Sequence, residues 1–87
     1  MVSVVTKVYQ LRNRKNKTYE LVTERETNIT EKEYYSMLWG YTNVYPLLGG
    51  TVSEFKQTTS KGYLVTELTV VNSTSTLKTV RTFTFDN

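Results

Sequence analysis

Thr30-Glu31-Lys32-Glu33 is the strongest local signal in this chain, and it interrupts a sequence otherwise written for strands. The Thr30 hydroxyl can accept from the Glu33 amide while the Glu33 carboxylate reaches back to the Thr30 amide, a reciprocal capping box. Ile29 before the cap and Tyr34 at the fourth helical position supply a hydrophobic staple. Glu31 and Glu33 also suit the positive end of the helix dipole. The pattern predicts a helix from Glu31 to Trp39 or Gly40, with Gly40 as its stop. At about 100° per residue, Tyr34, Met37, Leu38 and Tyr41 share one face, and Tyr35 and Trp39, four apart, form an aromatic pair on its flank.

Around this helix the chain carries 16 Thr, 11 Val and 7 Tyr, a vocabulary for sheet surfaces. Val2 to Arg12 and Tyr19 to Thr27 read as strands joined by the polar turn Asn13-Arg14-Lys15-Asn16-Lys17, a hairpin with a basic tip. Pairing Tyr9 with Leu21 and Leu11 with Tyr19 puts Val5, Tyr9, Leu11, Tyr19 and Leu21 on one face. The other face then holds Val8 opposite Val22, with Gln10, Glu20, Glu24 and Glu26, and is expected to be mostly solvated. The connector Thr42 to Gly50 contains the only Pro, Pro46, with Val44, Tyr45, Leu47 and Leu48. It is too apolar for a free loop and is expected to cross the sheet edge or form a short helical turn.

Three more strands follow, at about Val52 to Thr58, Tyr63 to Val71 and Leu77 to Phe85, separated by Ser60-Lys61-Gly62 and Ser73-Thr74-Ser75. The expected fold is a single α+β domain of order ββαβββ: a mainly antiparallel five-stranded sheet with one amphipathic helix packed on one face. The expected core is Val8, Leu21, Tyr34, Met37, Leu38, Leu64, Leu68, Val70, Phe83 and Phe85. A domain of 87 residues buries only about 60–65% of its extended-chain surface, and without Cys it has no disulfide to add. Pairing into a homodimer is one route to compensation.

The chain has no His, no Cys and a single Asp, Asp86. Those side chains do most proton transfer, nucleophilic attack and metal ligation in enzymes. Glu24 with Glu26, or Glu31 with Glu33, could be imagined as an acid–base or metal pair. Nothing near them supplies the desolvation that would tune one, and Glu31 and Glu33 already serve the helix start. Ser60 beside Lys61 lies in a turn, and Gly49-Gly50 lacks the further glycines and Lys of a phosphate-cradling loop. The expectation is a non-catalytic protein with no cofactor and no metal.

No apolar stretch approaches the roughly 20 residues that span a bilayer, and Met1 to Lys7 has no basic segment leading into an apolar run. The expectation is therefore a cytoplasmic protein with no membrane contact. Three Asn-x-Ser/Thr sequons, at Asn16, Asn28 and Asn72, read as coincidence in so Thr-rich a chain. Ala is absent while Lys, Asn and Tyr are plentiful, a composition that suggests AT-rich coding and a phage or mobile-element origin. The net charge of +3 permits an acidic partner without demanding one.

Two surfaces remain as candidates. The aromatic flank of the helix, Tyr35 and Trp39, with Tyr45 and Tyr41 nearby, offers the residue types favoured as interface anchors. Against this stands burial of the same flank beneath the Val44–Leu48 connector. The second surface is the hairpin tip, where Arg12, Arg14, Lys15 and Lys17 put four positive charges into six residues. It could fork onto phosphates, with Tyr9 and Tyr19 stacking on unpaired bases. Against this, hairpin tips are commonly Lys- and Asn-rich because they are solvated, and Glu20, Glu24 and Glu26 would oppose a phosphate backbone. The preferred expectation is a small binding module that contacts another protein, inhibiting or redirecting a host protein. Nucleic-acid binding through the tip is the alternative.

Overall fold

The computed structural model describes residues 1–85. Five strands and one helix follow in the order ββαβββ: β1 Val2–Asn13, β2 Thr18–Ile29, α1 Glu31–Asn43, β3 Thr51–Ser60, β4 Tyr63–Val71 and β5 Leu77–Phe85. A single 3₁₀ turn, Tyr45–Leu48, lies between α1 and β3. The strands form one sheet in the order β2-β1-β5-β4-β3, every pair antiparallel, which leaves β2 and β3 as the edges.

The capping box forms as the sequence predicts. The Glu33 amide donates to Thr30 Oγ1 at 3.1 Å, and the Thr30 amide donates to Glu33 Oε1 at 3.1 Å. The far end of α1 differs from expectation. Gly40 lies inside the helix, which continues to Asn43 and is capped by Val44, whose amide donates to the Gly40 carbonyl at 2.8 Å. A Cβ at Gly40 would meet nothing within 4 Å, so this glycine marks no tight turn. The 3₁₀ turn that follows is the one ended by a glycine, Gly49, which adopts φ 85° in the left-handed conformation that glycine tolerates.

One face of the sheet packs on α1. Its core is Val2, Val4, Tyr34, Leu68, Val70 and Phe83, with Ile29, Met37, Leu38, Tyr41, Tyr45, Val52 and Phe85 packed around it. Tyr34 is the centre. Its ring meets Phe83 and Phe85 edge-on at 5.0 and 4.7 Å, and its hydroxyl bonds Thr66 Oγ1 at 3.0 Å, so the buried polar tip is satisfied.

Three expected core residues are placed elsewhere. Leu21 and Leu64 are exposed and Val8 is only half-buried, while Val2 and Val4 take the central positions on β1. Leu64 lies near the β3–β4 turn, opposite Thr59, and for the other two the cause lies in the register of the first hairpin. Tyr9 faces Leu21 and Leu11 faces Tyr19 as expected, but Val8 faces Thr23, leaving Val22 as the extra residue of a bulge. Beyond the bulge, Glu24 and Glu26 share the face of Val5 and Tyr9. That face, and not the one holding Val8, points away from α1. Leu21 lies on it, opposite Tyr9, and so cannot reach the helix.

The turns follow local chemistry. Lys61 and Gly62, at φ 52° and 83°, make the two-residue link between β3 and β4. Asn72 organises the β4–β5 turn, its Oδ1 accepting from the Thr76 and Leu77 amides at 2.9 and 3.0 Å. The long β1–β2 hairpin is tied to that turn where the Leu11 amide donates to the Thr76 carbonyl and the Tyr19 hydroxyl to the Ser75 carbonyl, each at 2.8 Å.

Candidate functional site

The capping box and Tyr34 together fix how α1 is rotated about its axis. With Tyr34 inward, Tyr35 is turned about 100° away, and Trp39 lies one turn beyond it on the same outer flank. Both rings stand in solvent: Tyr35 is 61% and Trp39 64% exposed. Lys32 and Ser36 border them. The connector does not fold over this flank. It leaves Leu47 and Leu48 at 84% and 72% exposure, so a second apolar patch stands at the far end of the helix.

Tyr45 does not join the outer pair. Its ring packs edge-on against Tyr41 at 5.5 Å and lies over Gly50, where any Cβ would collide with it. Gly50 is therefore a close-approach glycine, needed for the absence of a side chain and not for a turn. Tyr45 belongs to the layer between connector and sheet.

Between α1 and the edge strand β3 runs an apolar groove of about 480 Å³, lined by Leu38, Tyr41, Pro46, Val52, Phe55 and Leu68. Phe55, half-exposed, forms its outer rim. By helical periodicity, Tyr35 and Trp39 lie toward the side of α1 from which Leu38 and Thr42 meet this groove. Outer aromatics, groove and the open β3 edge thus follow one another across the surface.

The basic hairpin tip is arranged differently. Arg14, Lys15 and Lys17 are exposed, while Arg12 Nε donates to Glu20 Oε2 at 2.6 Å, so one of the four cations is already paired. Tyr9 and Tyr19 are drawn under Lys78, whose ammonium lies 5.1 and 4.6 Å from their ring centres. These rings brace the hairpin and are not held out as stacking platforms.

Two of the carboxylates pair with lysines at the surface. Glu24 lies 3.6 Å from Lys7, and Glu54 lies 2.6 Å from Lys56, a hydrogen bond that raises the Lys56 pKa. Among the described residues no three His, Cys, Asp or Glu side chains come together as a metal cluster. No helix of the structure is long and apolar enough to cross a membrane.

Sequence reasoning missed Arg81. On β5 it alternates with Phe83 and Phe85, and that period-two spacing could have placed it on the helix-facing side. Its guanidinium sits over the Tyr41 ring at 5.4 Å, and its Nε is buried with no hydrogen-bond partner among the described residues. The Tyr41 pKa is raised above its ordinary 10.0, chiefly by burial, which outweighs the lowering effect of Arg81. No protein-family model matches the chain, and neither the curated proteins nor the solved structures compared with it give a match.

Proposed function

We propose that this protein is a non-catalytic binding module that acts by contact with another protein, using the outer flank of α1 around Tyr35 and Trp39. The observation that carries the reading is the exposure of these two large rings on a helix whose inner face is already filled. Leaving Trp and Tyr side by side in water forgoes burial that a chain of 87 residues could use for folding. Such rings are the commonest anchors of protein interfaces because they bury large area with few rotors to freeze. The neighbouring groove and open β3 edge add supporting surface, since an extended partner segment can pair with an edge strand and place side chains in an adjoining groove. The net charge of +3 suits an acidic partner. The composition fits a phage-type accessory protein that inhibits or redirects a host protein in the host cytoplasm.

The hairpin tip has less in its favour, because Arg12 is engaged by Glu20 and the nearby tyrosines hold Lys78. Paired affinity capture tests the main reading. Wild-type protein and a Tyr35→Ala/Trp39→Ala variant, matched for folded fraction by circular dichroism, are used as baits in extract of the native host. A partner retained by the wild type and lost with the variant is expected. Identical recoveries from both baits would remove the aromatic flank from the account.

A further inference from the structure

The two faces of the sheet differ in charge: one is mixed, and the other carries arginines without nearby carboxylates. The pleat places Glu24, Glu26, Glu54 and Glu67 on the face away from α1, together with Lys7, Lys56 and Lys78. The helix-facing side of the strands holds no carboxylate from Val2 through Val8 on β1 or along the rows paired with it. It does hold two arginines. Arg81 and Arg25 are the neighbours of Thr6 on β5 and β2. With strands about 4.8 Å apart, their Cα atoms stand roughly 9–10 Å from each other, and the two side chains can close over the Thr6 hydroxyl between them.

We propose that this Arg25–Thr6–Arg81 row is an oxyanion-binding site, taking a carboxylate or a phosphoryl group. It is independent of the aromatic flank. The row floors a cavity of about 310 Å³ beside α1, walled by Met37 and by the hydroxyls of Thr23 and Thr27. Neither arginine lies within ion-pair distance of any carboxylate among the described residues; the three ion pairs found involve Lys7, Arg12 and Lys56. Arg25 is exposed, but Arg81 is partly buried, and a guanidinium there gives up hydration without an ionic partner in return. Among the described residues the Arg81 guanidinium meets the Tyr41 ring, and its Nε has no hydrogen-bond partner. Tyr41 cannot supply the missing charge, because a phenol is protonated at neutral pH and burial raises its pKa further. An oxyanion held between two planar forks, with threonine hydroxyls as further donors, completes what the chain leaves open.

The test is a ¹H–¹⁵N titration of the full chain at constant ionic strength, with sodium chloride as the filler salt. Inorganic phosphate is the probe in one arm and succinate in the other. The expected result is a saturable shift of the Thr6 and Arg25 amides and of the Arg81 Nε–H resonance. Arg25→Gln, on an exposed edge strand, should weaken binding about tenfold while leaving the spectrum of the core unchanged. Arg81→Lys, which keeps the charge but loses the fork, should weaken it similarly. Saturation by phosphate alone assigns the site to phosphoryl groups, and saturation by succinate alone assigns it to carboxylates. Shifts that never saturate, that follow Arg14, Lys15 and Lys17 instead, or that persist unweakened in Arg25→Gln would overturn the proposal.

Discussion

Tyr34 decides which side chains of α1 are spent on folding and which are left for contact. Its ring fills the space between Phe83 and Phe85, and its hydroxyl reaches Thr66, so the helix has one good rotational setting. Tyr34→Phe removes one buried hydrogen bond but leaves Thr66 its contact with Gln57 at 3.3 Å. Its cost should be about 1 kcal/mol in a urea titration. Tyr34→Ala should cost about 3–5 kcal/mol, enough to leave so small a domain largely unfolded. Tyr41 makes a prediction in pH. Its pKa is raised in the folded protein, so the folded state holds its proton more tightly than the unfolded chain. Stability from this source is fully present below pH 10 and is lost as pH climbs through the folded value. The difference in unfolding free energy between wild type and Tyr41→Phe should therefore be constant up to about pH 9.5 and shift in favour of the variant above it. A difference independent of pH across that window would remove Tyr41 as the titrating group.

The elements that could be read from the sequence are those whose signals are local. The capping box alone places the start of α1, and Thr30→Ala should cost about 1 kcal/mol through loss of the Glu33 amide's acceptor, measurable as a lowered unfolding midpoint. β4 and β5 begin and end where the strand patterning predicts, because Lys61-Gly62 and the Asn72–Thr76 turn carry their own chemistry. The end of α1 was not legible in this way. Gly40 resembles a stop, yet a glycine inside a helix costs only about 1 kcal/mol, and the helix runs through it to reach the packing of Tyr41 on the sheet. The bulge at Val22 was equally hidden, since one extra residue changes which face each side chain takes without altering composition. The connector adds a test of its own. Gly50→Ala drives a methyl group into the Tyr45 ring and should cost about 1–3 kcal/mol, whereas Gly40→Ala, with open space around it, should stabilise by up to about 1 kcal/mol.

Taken together, the sheet and its helix leave the molecule with distinct surfaces. The face away from α1 is solvated and mixed in charge. The helix-facing side holds the core at one end and, beside it, two arginines with no carboxylate partner among the described residues. Above both stands an aromatic helix flank that is largely exposed, Tyr35 touching the Tyr34 ring edge-on at 5.1 Å and Trp39 standing in solvent. The sequence contained every residue of that flank but not its fate, because whether Val44–Leu48 folds over Trp39 depends on where the chain re-enters the sheet. It re-enters at β3, with Tyr45 turned inward and Leu47 and Leu48 outward, and Trp39 stays uncovered. The reading of this protein as a contact module therefore rests on Tyr35 and Trp39 being dispensable for folding. Urea unfolding of the Tyr35→Ala/Trp39→Ala variant, followed by far-UV circular dichroism, measures this directly. The account predicts a free energy of unfolding within about 0.5 kcal/mol of wild type for each exposed ring removed. A loss of about 3–5 kcal/mol, the cost of truncating a large core aromatic, would contradict it.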